Sequence, residues 1–223
     1  MNEIEIRTYK AEVRKEGEEK TQIKGQAIVY EKMSPEQYGF KEIIHKGAVG
    51  DLIEKNDVFA LKNHNEDLIL GRNISGTLKL VETDEGLNFV VDPPDTTYSN
   101  DLLISMERGD IDKCSFAFRV DPSGQWWEEE DGVDIRHITK FAELYDVSIV
   151  TYPFYPQTIA ELFGKDVRTP EQVYKEYRNI RQSQEAEKSD EIKAEEAQAQ
   201  ERKEALRQVK LDVVKLRMKG ILK

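Results

Sequence analysis

The side chains in this 223-residue chain that could act as a nucleophile and a base lie on separate segments. There are only three histidines: His45, His64 and His137. His64 sits in Leu61-Lys62-Asn63-His64-Asn65-Glu66-Asp67, after the apolar Val58, Phe59 and Ala60 and ahead of Leu70-Gly71-Arg72. A histidine at a strand end among polar neighbours is well placed to take a proton near neutral pH. Ser115 lies in Lys113-Cys114-Ser115-Phe116-Ala117-Phe118-Arg119. On a strand, Ser115, Ala117 and Arg119 share one face, and Cys114, Phe116 and Phe118 the other. With the phenylalanines turned to a core, the serine falls on the more open face. In Phe141 to Thr151, alternation groups Asp146 with Leu144, Ser148 and Val150. That makes its carboxylate part-buried and in need of a partner, for which an imidazole is suitable. Each segment also has a plainer account: a loop histidine, a strand serine, and a carboxylate satisfied by backbone N–H groups.

Other chemistries find less support. No H-x-x-x-H pair and no H-E-x-x-H motif occurs, and neither phosphate-binding loop, G-x-x-x-x-G-K-[ST] or G-x-G-x-x-G, is present. The G-x-S-x-G elbow is also missing. With one cysteine, Cys114, an internal disulfide is impossible and a Cys-rich metal site is excluded. The expectation is a site with no metal and no organic cofactor, in a reducing, intracellular setting.

The elements that must position these residues read as short strands joined by turns. Strands are expected at Glu3 to Tyr9 and Ile23 to Tyr30, either side of a charged turn around Gly17. A hairpin of Gly76 to Glu82 with Gly86 to Asp92 turns at Thr83-Asp84-Glu85. Cys114 to Val120 and Phe141 to Thr151 are two further strands, and Gln125 to Arg136 reads as a surface hairpin. Short helices are expected over Lys46 to Lys55 and Tyr98 to Gly109, the second capped by Ser99 or Asn100. The fold class is α+β: a compact, mostly antiparallel, β-barrel-like domain with a few helices, followed by a charged helical extension. The division falls at residues 1–165 and 166–223. Thr169-Pro170-Glu171-Gln172 is a helix-start signal, with a Thr cap, Pro at the first helical position and Gln three residues after the cap. Arg181 to Ala205 is then nearly all helix-forming polar residues and alanine. Only Leu206, Val209, Val213 and Leu216 give an apolar spacing there, too short for a coiled coil by itself.

Charge separates the same two regions. The net charge is −11, but residues 166–223 hold 14 basic and 12 acidic groups, leaving 19 basic and 32 acidic in residues 1–165. An acidic globular part repels a phosphate backbone, so nucleic acid is not an expected partner. No apolar run is long enough to cross a bilayer, and the charged start, Met1 to Lys10, is unlike a signal peptide.

In order, the three chemical segments resemble the prohead proteases of tailed phages, a family thought to share ancestry with the herpesvirus assembly protease. The resemblance rests on Asn63-His64-Asn65 with Gly71-Arg72, Ser115-Phe116-Ala117-Phe118, and Asp146-Val147-Ser148-Ile149-Val150 with Pro153 and Pro156. Gly25-Gln26-Ala27-Ile28-Val29-Tyr30, and Glu42-Ile43-Ile44 with Gly47-Ala48, match the family's early segments. It spans roughly Ile4 to Pro156. The resemblance implies Ser115 as nucleophile, His64 as general base and Asp146 as the acidic third member, where many relatives have Glu. Two rivals for the third role stay open: Glu143, because Asp has a shorter reach than the relatives' Glu, and His137, because the herpesvirus relatives use a second histidine. Arg72, Arg119 or a backbone N–H are candidates to stabilise the oxyanion. It further implies partners: the major capsid protein with its scaffolding region, the chain itself by self-cleavage, and, as a candidate, a second copy in a homodimer. The location implied is the host cytoplasm, inside the immature capsid, with the extension serving as a scaffold contact or a substrate. The alternative from another class is a non-enzymatic capsid scaffolding or assembly protein, or a fusion of protease and scaffold.

Overall fold

The structure is a computed structural model and describes residues 4–16, 20–36, 38–152 and 169–218. Its strands are β1 (Glu5–Glu16), β2 (Lys20–Val29), β3 (Phe40–Ile44), β4 (Phe59–Lys62), β5 (Asn65–Arg72), β6 (Leu78–Thr83) and β7 (Gly86–Val91). They continue as β8 (Lys113–Val120), β9 (Gln125–Glu130), β10 (Val133–Ile138) and β11 (Phe141–Val150). The helices are α1 (Leu52–Lys55), α2 (Thr97–Glu107) and α3 (Pro170–Met218). Chain contacts divide the molecule into two units, Met1–Tyr174 and Lys175–Lys223. The expected turn at Gly17, Pro153, Pro156 and the expected boundary at residues 165–166 lie outside the described residues.

In the first unit, eight strands form one sheet in the order β5-β4-β11-β8-β1-β2-β7-β6, and β3-β10-β9 form a second. Pairing is antiparallel except at β11–β4 and β10–β3. The fold is thus α+β as expected, but the sheets are open and the described residues form no closed barrel. The edge strands β5 and β6 follow each other in the chain and come close. A Cβ on Gly71 would meet Val91 Cγ2 at 2.4 Å and the Thr77 carbonyl oxygen at 3.0 Å, so glycine is needed for the approach. The Arg72 N–H, however, donates to the Thr77 hydroxyl at 2.9 Å. No β5–β6 ladder forms among the described residues.

The core lies on one face of the large sheet. Phe116, Phe118 and Phe141 stack with centroids 4.5–6.1 Å apart. Around them lie Ile28, Leu87, Phe89, Leu102, Leu144, Val147 and Ile149, all nearly or fully buried. Each such side chain contributes on the order of 1.5–3 kcal/mol by leaving water.

The second sheet is tied to β1 by buried ions. Arg136 is fully buried and donates from both terminal nitrogens to Glu5 (2.5 and 2.8 Å), and to Glu42 at 3.1 Å. Its Nε reaches Gln125 at 2.8 Å, and Arg7 adds two 2.7 Å bonds to Glu42. The Gln125 to Arg136 hairpin is therefore not a surface feature throughout. Residues 134 to 138 of β10 are all buried, and Arg136 among them meets the carboxylates of Glu5 and Glu42.

The helices differ from expectation at their starts. Only Leu52–Lys55 of the first forms, since Gly47 (φ 83°) and Gly50 (φ 55°) hold left-handed turns before it. The second begins at Thr97, with Thr96 in the cap position instead of Ser99 or Asn100. α3 opens with the expected box: Thr169 N–H donates to Gln172 Oε1 at 2.7 Å, and Gln172 N–H to Thr169 Oγ1 at 3.2 Å. Its first turn buries Val173 and stacks Tyr174 on Phe40. In the second unit the helix is solvated, with even Ile180, Ile192 and Leu206 more than half exposed.

Candidate active site

β8 runs between β1 and β11, and the register sets which side chains meet. Ser115 is opposite Thr8 on one side and Ser148 on the other. Residues opposite one another share a face. Ser115 and Ala117 therefore lie away from the phenylalanine core, as alternation predicts, while Cys114, Phe116 and Phe118 lie in it.

Asp146 reaches that same face by an irregularity. β11 carries a bulge between Leu144, opposite Phe118, and Asp146, opposite Ala117. Tyr145 is the extra residue. Leu144 consequently packs into the core while Asp146 points away from it, so the expected grouping of Asp146 with Leu144 does not hold. Without the bulge, one of the two would have been on the wrong side.

His64 stands in the two-residue turn between β4 and β5, flanked by the Lys62–Asn65 pair. Asn63 and His64 both have φ 55°, the left-handed region that a tight hairpin of this kind requires. Neither is glycine, and β11 holds the turn from outside. Asn63 N–H donates to the Ile149 carbonyl at 2.8 Å, and Thr151 N–H to Asn63 Oδ1 at 2.9 Å. His64 N–H donates to Ser148 Oγ at 3.1 Å. The imidazole then meets Asp146: Nδ1 to Oδ1 is 2.7 Å, with both side chains buried. Ser148 Oγ also donates to that Oδ1, at 2.5 Å. Asp146 Oδ2 is buried without a hydrogen-bond partner among the described residues.

Ser115 is 1% exposed, not open as its face had suggested. Its hydroxyl donates to the Arg7 carbonyl at 2.8 Å instead of to the imidazole. The structure thus brings His64 and Asp146 into direct contact and sets Ser115 one strand away, opposite the Ser148 that bonds them both. A cleft of about 670 Å³ adjoins Asp146, lined also by Ile4, Phe59, Leu61, Glu66, Ile69 and Tyr145.

The rivals have other partners. Glu143 bonds Arg119 at 2.9 Å and accepts from the Tyr145 hydroxyl. Burial and that carboxylate push the Tyr145 hydroxyl well above its ordinary range. His137 lies on the smaller sheet, with Nδ1 2.8 Å from His45 Nε2 and Nε2 3.0 Å from Glu128. Arg72 is paired with Asp57 and lies over the Phe59 ring. Both arginines considered for the oxyanion are therefore already held by carboxylates. Among the described residues no group of three or more His, Cys, Asp or Glu side chains is placed to hold a metal ion.

Sequence reasoning missed two parts of this arrangement. Alternation already grouped Ser148 with Asp146 on one face, but gave Ser148 no part in the site. The bulge had no signal in the alternation.

A buried imidazole–carboxylate pair with a serine on the neighbouring strand is compatible with serine hydrolase chemistry. A family model described as caudovirus prohead serine protease matches residues 8–172, and the chain belongs to that family. It is accordingly a capsid-maturation serine protease, acting in the prohead with capsid proteins as partners. No curated protein and no solved structure matches the chain. No helix among the described residues is long and apolar enough to cross a membrane.

Proposed function

We propose that Ser115 is the nucleophile, His64 the general base and Asp146 the third member of the triad. The observation that carries this is the 2.7 Å contact of His64 Nδ1 with the buried Asp146 carboxylate, next to the strand bearing Ser115. A serine hydroxyl attacks a peptide carbonyl only as a base accepts its proton. With Nδ1–H committed to Asp146, the neutral imidazole has its lone pair on Nε2, the atom to receive that proton. Ser115 must first rotate its hydroxyl from the Arg7 carbonyl. As the proton moves to His64, Asp146 stabilises the imidazolium, which then protonates the leaving amine. Water deacylates the enzyme by the same route.

The substrates on this reading are the scaffolding region of the major capsid protein and the chain itself, within the immature capsid in the host cytoplasm. Residues 1–165 are the protease, and the extension from 166 is an address for a helical scaffold or a site of self-cleavage. An exposed helix with little to bury suits both uses. Mass spectrometry of the protein co-expressed with its capsid protein tests the assignment. Wild type yields shortened capsid protein and protease fragments, and Ser115→Ala yields neither. Cleavage that persists in Ser115→Ala removes Ser115 from the role.

A further inference from the structure

We infer that Ser148 is the positioning residue of this site, coupling the backbone of the base to the carboxylate that orients its ring. The inference rests on the triad reading above. Its basis is a closed circuit of three hydrogen bonds. His64 N–H donates to Ser148 Oγ (3.1 Å), Ser148 O–H donates to Asp146 Oδ1 (2.5 Å), and His64 Nδ1–H donates to the same oxygen (2.7 Å). All three residues are at least 97% buried.

The circuit leaves little freedom. A hydroxyl has one proton to give, and here it goes to Asp146, so the backbone N–H of His64 must come to a lone pair of Ser148. Both ends of the histidine, its main chain and its ring, are thereby referred to one point on β11. That matters because the turn is held at φ 55° on two successive non-glycine residues, a conformation that persists only where its surroundings enforce it. Strand pairing continues into the turn through Leu61–Ser148 and Lys62–Ile149. Asn63 fixes the residue before the base through main-chain atoms of Ile149 and Thr151. Ser148 acts on the backbone of His64 itself. It is also opposite Ser115 across β8–β11, so the same residue sets the base at a defined distance from the nucleophile's strand.

The rate of serine acylation by a fluorophosphonate provides the test, since Ser115 Oγ displaces fluoride only as its proton is taken up by the base. Compared are wild type, Ser148→Ala, Ser148→Thr and His64→Ala. Ser148→Ala is expected to lower the limiting acylation rate 10- to 100-fold while the probe concentration for half-maximal rate changes less than threefold. Ser148→Thr keeps the hydroxyl on a residue suited to strands and is expected to recover most of the rate. The low-field Nδ1–H proton resonance of His64 is expected to move or broaden in Ser148→Ala and to return in Ser148→Thr. Wild-type rate and an unmoved resonance in Ser148→Ala overturn the inference. So does an equal loss in the threonine variant when that variant is folded, and this comparison decides the matter if the alanine variant does not fold. Full acylation in His64→Ala would instead overturn the triad reading, whatever Ser148 does.

Discussion

His64 and His137 are both strand-end or strand histidines within 3.0 Å of a carboxylate, yet their surroundings differ in kind. His64 and Asp146 are almost wholly buried, and Ser148 closes a ring of bonds around them. His137 is buried, but its partners form a chain that runs out to solvent. Glu128 on one side is half exposed, and on the other His45 leads to Glu31, which is more exposed still. Trp126 covers the His137 ring with its own ring, 3.6 Å between centroids. A carboxylate held on one oxygen by two donors can fix an imidazole's orientation and tautomer. A histidine between a second histidine and a water-exposed glutamate is fixed far less. On the proposed triad, contact with a carboxylate does not by itself distinguish the two histidines, and the closed circuit behind His64 does.

The largest expected effect breaks this comparison directly. Asp146→Asn keeps the shape but lets the side-chain amide favour the wrong tautomer, and capsid-protein cleavage is expected to fall about 10³- to 10⁴-fold. Glu128→Gln, the same change at the other histidine, is expected to leave the cleavage rate within threefold. Gel-based cleavage kinetics on both variants measure the contrast, and equal losses would erase it.

Next in size is the anchorage of the sheet bearing His137. Arg136→Met leaves Glu5 and Glu42 with Arg7 still bonded to both, a change expected to cost up to about 3–5 kcal/mol, the range for losing one partner of a buried ion pair. Urea unfolding followed by circular dichroism measures it. A loss below about 1 kcal/mol would mean that Arg136 is not what holds β10 against β1.

Much of the site was legible before the fold. The alternation in Lys113–Val120 placed Ser115 opposite the phenylalanines, because a regular strand has a period of two and no bulge disturbs β8 between Cys114 and Phe118. The capping box at Thr169 was legible because it is local. Alternation grouped the candidate Asp146 with Leu144, and that grouping fails, since a bulge is a property of pairing with β8 and leaves no mark on the strand's own sequence. The left-handed turn at Asn63-His64 escaped notice because its usual glycine is missing and its support comes from β11, more than 80 residues away. Arg136 read as a surface charge because the carboxylates that keep it buried belong to β1 and β3. Where a neighbour in space decides, the sequence alone is silent.

Smaller effects sharpen the picture of the second histidine. Trp126→Ala removes the ring over His137 and is expected to cost about 1 kcal/mol, beyond which the stack would have to be structural for the whole sheet. Thermal unfolding of the variant gives the figure. The smallest effect is with acid. The Lys46 backbone N–H, then His45, hold Glu31 below the ordinary carboxylate range. Because its folded value is the lower one, Glu31 contributes stability above the unfolded value, and that contribution is lost as pH falls through the folded one. Glu31→Gln should lower stability slightly at neutral pH and converge with wild type at acid pH, as urea midpoints across the range would record.

The central claim is that one serine, activated by a buried histidine, does the cutting. Treating the folded protein with a fluorophosphonate and mapping the adduct by tandem mass spectrometry tests it most directly. The account predicts a single adduct on Ser115, lost in folded His64→Ala. An adduct on another serine, or cleavage-competent protein that takes none, would contradict it.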